Sequence, residues 1–214
     1  MVEKQVMLTP SKITAWLECE HYLTLKINDE LRPKKEWIKE VAGKQKPNSG
    51  LMAPPEDFAD MLRKKGDLHE QRCLRRYKEN FPDSVYEVPE RNEAGYENFA
   101  EWVQRIGNPM EENHAVIFQM PFMHEGIRGV ADFLLRVEYG KGKVAYEPVD
   151  SKLSRTGAKQ GHLLQLLFYA EAVEAKIGIR PRQVHVLLGS GEVESFNVRD
   201  YWWYWKRLQR QIKK

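Results

Sequence analysis

The sequence predicts an α/β fold in which one mixed β-sheet is flanked by helices. Three apolar segments, at about residues 115–122, 127–137 and 144–152, follow one another through short turns that contain glycine. Segments joined this closely form antiparallel neighbours, and the first lacks polar alternation, as in a strand buried on both faces. A helical pattern near residues 158–176 leads to another apolar strand at 183–188. We expect this strand to be parallel to the third segment, because a helix joins them.

The remaining elements follow from helical periodicity and from turn residues. Apolar residues recur at helical spacing after Pro10 and after Pro55, and the second of these helices is expected to reach about Asn80. The other predicted elements are a strand near 84–88, a helix near 92–106, a short strand at 192–198 and a closing helix at 200–213.

Aromatic residues open the closing helix, from Tyr201 to Trp205. Helical spacing predicts one buried stripe on it, made of Tyr201, Tyr204, Trp205, Leu208 and Ile212. We expect Trp202 and Trp203 to pack on the sheet edge or on a following domain. Stacking of these rings on single-stranded bases is the alternative.

The length of 214 residues suits one domain that spans residues 1–214, and it is short for two domains and a linker. A hydrophobic fraction of 42% argues for a packed globule. Between about residues 28 and 55 the pattern is broken by prolines and lysines, which indicates a flexible insertion. This insertion is either a solvated loop or a flap that contacts DNA.

Charge and composition exclude few functions. The chain has 34 basic and 31 acidic side chains, so its net charge of +3 does not identify a nucleic-acid-binding protein. No apolar run reaches about 18 residues and no signal segment opens the chain, so we expect a cytoplasmic protein without membrane association. In a reducing compartment, Cys19 and Cys73 are expected to be free thiols.

A candidate active site lies at the end of the strand from Val144 to Lys152. Because side chains alternate along a strand, Asp150 and Lys152 project from the same face, roughly 7 Å apart along the backbone. Asp132, on the preceding strand, can approach Asp150 across the hairpin. Asp132, Asp150 and the main-chain carbonyl of Ser151 are candidate ligands for Mg²⁺ or Mn²⁺. Lys152 would orient or activate water, or stabilise charge on a phosphate. The alternative is a salt bridge on a surface hairpin.

Two helices carry a polar or basic face. On the helix near 158–176, His162, Gln165 and Tyr169 fall at spacings of three and four and share one face. The helix that ends near Asn80 has a basic face, made of Arg72, Arg75, Arg76 and Lys78. Such a face either meets a phosphate backbone or is simply solvated.

Three short motifs follow one another along the chain: GxxD at Gly129–Asp132, DxK at Asp150–Lys152 and QxxxY at Gln165–Tyr169. In this order they resemble the motifs of the RecB-like nucleases of the PD-(D/E)XK superfamily. Upstream, Gly66-Asp67-Leu68-His69-Glu70 is similar to the family's helical histidine motif. The segment from Ser11 to Leu23 is similar to its N-terminal helix. No motif is specific by itself, but four in this order are a strong signal, and with the N-terminal helix the resemblance spans nearly the whole chain.

The resemblance implies a restriction-endonuclease-like fold, with a metal site where two central strands diverge. It implies that Asp132, Asp150 and Lys152 are the catalytic residues. It also adds His69, contributed by a helix, to the metal ligands, a role that a neutral imidazole can fill.

The implied partner is DNA, as single strands or as ends. By the resemblance, Gln165 and Tyr169 would line the DNA channel beside the metal. We also expect Arg155, in the polar loop after Lys152, to contact DNA. A helicase domain or subunit is a further partner that the resemblance suggests, because family members are often parts of longer helicase-bearing chains.

The expected cofactor is Mg²⁺ or Mn²⁺, without an iron–sulfur cluster. Some members of the family bind such a cluster through one cysteine near the N-terminus and three near the C-terminus. A cluster of this kind needs four thiolates, and this chain has only Cys19 and Cys73.

The expected function is metal-dependent hydrolysis of DNA phosphodiester bonds. The resemblance favours an exonuclease that acts on single-stranded or frayed ends over an enzyme for a specific duplex site. A structure-specific endonuclease is one alternative, and a non-catalytic module that binds DNA ends or supports assembly is another. No residue excludes an RNA substrate.

Overall fold

The structure is a computed structural model, and it describes residues 8–18, 56–92, 97–154 and 157–212. In these ranges a six-stranded mixed sheet is flanked by helices, which confirms the predicted mixed α/β class. In chain order the elements are α1 (Pro10–Glu18), α2 (Glu56–Asn80), β1 (Val85–Glu87), α3 (Phe99–Ile106), a short 3₁₀ helix (Pro109–Glu112), β2 (Val116–His124), β3 (Ile127–Glu138), β4 (Val144–Lys152), α4 (Gln160–Ile177), β5 (Gln183–Leu188), β6 (Val193–Asn197) and α5 (Val198–Ile212).

The strands lie in the sheet in their chain order, β1 to β6. β2, β3 and β4 pair antiparallel through short turns, as the apolar segments predict. β4 and β5 pair in parallel, because α4 carries the chain back across the sheet between them. β1 is parallel to β2, and β6 is antiparallel to β5. The sheet is therefore mixed, with β3 and β4 at its centre.

Two apolar cores lie on the two faces of the sheet. The larger core packs the sheet against α1, α3, α4 and α5, and its fully buried members include Ile117, Leu134, Tyr146, Leu167 and Trp205. The smaller core lies under α2 and includes Cys73, Leu74, Phe118, Phe133 and Val149. α2 thus covers one face of the central strands and α4 covers the other. The end of β4 lies between these two helices.

A buried carboxylate holds α5 against α4. Glu171 of α4 is only 6% exposed. It accepts hydrogen bonds from the Trp205 indole at 2.7 Å and from the Gln209 amide at 2.6 Å, and it pairs with Lys206. Because buried carboxylates are costly without partners, these contacts fix the orientation of α5.

The prediction for the aromatic cluster is wrong in one respect. Trp205 is fully buried as expected, but Tyr204 is 54% exposed and does not belong to the buried stripe. Trp202 is buried instead, and Trp203 is 78% exposed. The buried stripe runs through Val198, Trp202 and Trp205, at helical spacings of four and three. α5 begins two residues earlier than predicted.

Some predictions fall outside the described residues. The insertion expected at 28–55 and Cys19 both lie there. Cys73 is a buried free thiol, in agreement with the expectation. Within the described ranges, no helix combines the length and the apolar character that crossing a membrane requires.

Candidate active site

The candidate active site lies where β3 and β4 part. The antiparallel pairing of these strands ends at Phe133 and Val149. The next residue toward this end of each strand is an aspartate, Asp132 on β3 and Asp150 on β4. β4 goes on to pair with β5 as far as Lys152. The structure therefore brings the three predicted catalytic residues together at the centre of the sheet.

A change of strand face at Gln119 sets the direction of Asp132. Ile117 and Met120 of β2 both belong to the larger core, although residues three apart on a regular strand lie on opposite faces. Gln119 between them has a left-handed backbone, with φ of 59°. The β3 residues that pair with them change face in the same way around Asp132. The apolar run of β2 has no alternation from which this change is predictable.

Asp132 is held by the neighbouring strand. Its Oδ2 atom accepts hydrogen bonds from the Ser151 main-chain N–H at 2.8 Å and from the Ser151 hydroxyl at 3.2 Å. Burial raises the pKa of Asp132 above its ordinary value, although Lys152 and the two Ser151 hydrogen bonds act in the opposite direction. Asp132 is thus positioned against β4 and poorly stabilised as an anion.

Asp150 is almost fully buried, and its two carboxylate oxygens differ in their hydrogen bonding. Its Oδ1 atom accepts hydrogen bonds from the Lys152 ammonium at 2.6 Å and from the Gln165 amide at 3.2 Å. Its Oδ2 atom is buried, and no described residue forms a hydrogen bond with it. Burial raises the pKa of Asp150 to about 7, Lys152 opposes this change, and Asp132 adds to it. A buried carboxylate oxygen without a partner is unfavourable unless a cation or donor joins it.

Lys152 is the cation of this cluster. Burial alone would lower the pKa of its ammonium, but the negative charges of Asp150 and Asp132 raise it above its ordinary value. The Lys152 side chain keeps 29% of its surface exposed, whereas that of Asp150 keeps 1%. The ammonium therefore lies between the buried carboxylates and the surface.

Tyr169 of α4 supports β3 beside Asp132. Its hydroxyl donates a hydrogen bond of 2.6 Å to the Val130 carbonyl. Gly129 allows this approach, because a Cβ atom there would lie 2.8 Å from the Tyr169 hydroxyl oxygen. Burial and the charges of Asp132 and Asp150 raise the pKa of Tyr169. Gln165 and Tyr169 thus lie beside the two aspartates, and each donates a hydrogen bond within the protein. Their expected contact with DNA stays a prediction.

Glu70 of α2 is a further carboxylate near the two aspartates, and no sequence motif assigns it to the site. Its carboxylate is hydrogen-bonded to the amide of Gln119, the residue with the left-handed backbone. Burial raises the pKa of Glu70 to about 7, and the negative charge of Asp132 adds to the increase. The Gln119 hydrogen bond and the Lys152 ammonium act in the opposite direction. The only sequence signal for Glu70 was its position beside His69.

The surroundings of His69 differ from those of Asp132 and Asp150. Its Nε2 atom lies 3.7 Å from the Cys73 Sγ, and its side chain lines a cavity between α2 and the β5–β6 turn. Its role as a metal ligand stays a prediction. Arg155 lies outside the described residues, so its predicted contact with DNA also stays a prediction.

Glu147 faces away from the site, as strand alternation predicts. Its side chain is hydrogen-bonded to His185 at 3.0 Å and to the Tyr139 hydroxyl at 2.7 Å. Burial would raise the pKa of Glu147, but these hydrogen bonds lower it below its ordinary value. Glu147 is therefore a satisfied carboxylate on the same strand as Asp150.

The cluster has an excess of acidic groups that fits a divalent cation. The negative charge of Asp132 raises the pKa of both Asp150 and Glu70, and the Lys152 ammonium acts in the opposite direction on all three carboxyl groups. Across the parts of the chain that the structure describes, no three His, Cys, Asp or Glu side chains are arranged as a ready metal site. The unpartnered Asp150 oxygen is nevertheless a hard ligand of the type that Mg²⁺ and Mn²⁺ prefer.

Comparison with known proteins does not assign a family. No family model matches the chain, and no curated protein matches it. The resemblance to RecB-like nucleases therefore rests on the motifs and on where the fold places them.

Proposed function

We propose that this protein is a metal-dependent DNA nuclease with a restriction-endonuclease-like fold, related to the RecB-like nucleases. The observation that carries the proposal is the acidic pair at the point where β3 and β4 part. Asp150 has one oxygen 2.6 Å from the Lys152 ammonium and another that is buried and has no hydrogen-bond partner within the described ranges. Carboxylates beside a fixed cation suit cleavage of a phosphodiester.

The order of the elements supports the same proposal. The three motifs occupy β3, the end of β4 and α4, which follow one another in the chain. α4 then packs its Gln165 and Tyr169 side chains beside the two aspartates. Chance matches to short motifs would not be expected to converge in this way, so the convergence adds weight to the resemblance.

A divalent ion is part of the proposal. Asp132, Asp150 and the Ser151 main-chain carbonyl would hold Mg²⁺ or Mn²⁺, with Glu70 as a further carboxylate close by. When bound, the ion supplies positive charge that stabilises a phosphate and favours ionisation of water.

The side chains of the protein have separate roles in this proposal. Lys152, a cation at the edge of the buried cluster, would bind a non-bridging phosphate oxygen and stabilise the charge that develops there. Gln165 holds the Asp150 Oδ1 atom and leaves Oδ2 for the ion. Tyr169 fixes the β3 backbone beside Asp132, so it positions a catalytic residue.

The test is degradation of linear single-stranded DNA in Mn²⁺. We expect Lys152→Ala to lower the cleavage rate by about 100-fold or more, the usual cost of losing a group that stabilises transition-state charge. Lys143→Ala is the matched control, because Lys143 is an exposed lysine just before the same strand. Equal rates in the wild type and Lys152→Ala would contradict the proposal.

The choice of substrate separates the alternatives. An exonuclease on single strands or ends leaves covalently closed circular DNA intact, whereas a structure-specific endonuclease cuts it. A non-catalytic DNA-end-binding module binds ends with strong salt dependence and releases no product. Comparison of ribose and deoxyribose strands of the same sequence tests an RNA substrate.

A further inference from the structure

A second cavity lies next to the candidate active site, between α2 and the turn that joins β5 to β6. Its volume is about 440 Å³, within the range of ligand pockets. We call it the hairpin cavity. Its lining includes His69, Arg72, Arg76, Tyr77, Leu187 and Val193. The proposed function does not use it.

The hairpin cavity is basic. Arg72 and Arg76 are four residues apart on α2, so their side chains leave the helix on the same side. His69 lies one turn before Arg72, and no carboxylate from the described part of the chain lines the cavity. Among the residues that the structure describes, neither arginine has an acidic partner, whereas Lys78 of the same helix pairs with Glu87. Two guanidinium groups are thus available to an anion.

The opposite side of α2 has the opposite character. The cavity there is lined by Asp67, Glu70, Glu87 and Glu90, with Arg91 as its basic residue. α2 therefore separates an acidic cavity, toward β1 and β2, from a basic one, toward β5 and β6. An anionic chain that reaches the site is expected to lie on the basic side.

The inner wall of the hairpin cavity is apolar. It includes Leu187 and the Tyr77 ring, which packs against Phe133 at 4.9 Å between centroids. Val193 at the start of β6 is 56% exposed, so an apolar surface remains open to a ligand. A pair of cations beside an aromatic and aliphatic wall suits a nucleotide, which has a phosphate and a flat base.

The wall of the hairpin cavity and the candidate active site lie on neighbouring strands of the sheet. Leu187 and Leu188 in its wall pair with Ser151 and Lys152 of β4. The backbone of this wall is therefore one strand spacing, about 5 Å, from the backbone of Lys152.

We propose that the hairpin cavity binds one nucleotide of a single-stranded nucleic-acid substrate. Arg72 and Arg76 bind its backbone phosphate, and Tyr77 and Val193 contact its sugar or base. This inference rests on the proposed function, because it takes a nucleic-acid strand as the ligand of the neighbouring site.

The test is binding of fluorescein-labelled oligothymidylate, followed by fluorescence anisotropy in EDTA at several salt concentrations. The Lys152→Ala protein is the reference, so that no cleavage interferes. When Arg72→Ala and Arg76→Ala are both added to this reference protein, we expect binding to weaken by about tenfold or more. The slope of log K against log salt should become shallower by about 0.7, the value for one phosphate contact on a single strand. Arg75→Ala, an exposed arginine on the same helix outside the cavity lining, should change neither quantity.

Two results would overturn the inference. One is the same affinity and salt slope in the double arginine variant and in Arg75→Ala. The other is competition by polyglutamate as strong as that by unlabelled oligothymidylate, because the cavity would then accept any acidic chain. DNA cleavage in Mn²⁺ is measured separately, on the wild type. If the wild type does not cleave DNA but binding still depends on Arg72 and Arg76, the nuclease proposal fails and the inference about the hairpin cavity stands.

Discussion

At the scale of single residues, the buried carboxylates of the candidate site are electrostatically unfavourable. Asp150 is buried beside Asp132, and Lys152 contacts only one of its oxygens. Removing carboxylates from water costs free energy that a single ammonium does not offset. This arrangement explains why the pKa of Asp150 rises to about 7 through burial and through Asp132, despite Lys152.

Replacing Asp150 with asparagine should therefore stabilise the protein more at high pH than at low pH. The pKa of Asp150 is raised from 3.8 to about 7, so between these values the folded protein holds a proton that the unfolded chain has lost. The free energy of unfolding of the wild type falls as pH rises through this window, and Asp150→Asn escapes that loss. From about pH 4 to 8, the stability of the variant relative to wild type should rise by roughly 1–3 kcal/mol. Urea unfolding in EDTA at several pH values measures it.

Glu147→Gln is the control for this effect. Hydrogen bonds from His185 and Tyr139 outweigh the effect of burial and lower the pKa of Glu147, so its stabilising contribution is lost only as pH falls below about 4.5. Titration of Glu147 itself therefore contributes no slope between about pH 5 and 8. A flat profile for Asp150→Asn over that range would show that Asp150 is not electrostatically strained.

A comparison of His69 and Glu70 shows which side chain of α2 supports the metal site. Burial is the main cause of the raised pKa of Glu70, and the negative charge of Asp132 adds to the increase. His69 instead lies against Cys73 in the hairpin cavity. Glu70→Gln should raise the Mn²⁺ concentration needed for half-maximal cleavage by about tenfold or more, and His69→Ala should change it less. The reverse order would assign the ligand to His69, as the family resemblance implies.

At the scale of elements, the sequence predicted the strands that carry the site well. β4 and β5 have the bounds that were expected, because short apolar runs with glycine-bearing turns leave few alternatives. The change of strand face at Gln119 was not predictable, because it depends on one left-handed residue inside a uniformly apolar run. The contact of Glu70 with Gln119 depends on that change, so Glu70 could not be assigned either. The position of Tyr204 depends on the exact phase of α5, which tertiary contacts such as that of Trp205 with Glu171 decide.

Gly189, directly after β5, lies so close to the loop after β4 that no side chain fits there. A Cβ atom at Gly189 would lie 2.4 Å from the Leu153 carbonyl oxygen, and the Gly189 N–H donates to the Ser154 carbonyl. Gly189→Ala should therefore destabilise the protein by about 1–3 kcal/mol, because backbone would have to move. Thermal or urea unfolding measures the change.

Gly66→Ala is the matched comparison for Gly189→Ala. A Cβ atom at Gly66, inside α2, would lie 3.9 Å from a Leu153 side-chain atom, an ordinary contact. Alanine is the better helix former, so this variant should be neutral or more stable by up to about 1 kcal/mol. Equal destabilisation of both variants would mean that the close approach at Gly189 has no special cost.

At the scale of the whole molecule, the sheet and two helices converge on one point. β3 and β4 part at the sheet's centre, α2 approaches this point from one face and α4 from the other. The mixed topology was predictable from the order of strands and helices, because short turns and a helical crossover fix strand direction. The relation to RecB-like nucleases and the reaction remain proposals, because short motifs specify positions and not activity.

Calorimetric titration with Mn²⁺ near neutral pH tests the central claim, that Asp132 and Asp150 hold a divalent cation. We predict that the wild type binds Mn²⁺, that Asp132→Asn and Asp150→Asn each weaken binding by at least about tenfold, and that Glu147→Gln binds as the wild type does. Glu147 is a suitable control because it is a buried carboxylate on the same strand that faces away from the site. Equal Mn²⁺ affinity in all four proteins, or no binding by the wild type, would contradict the claim.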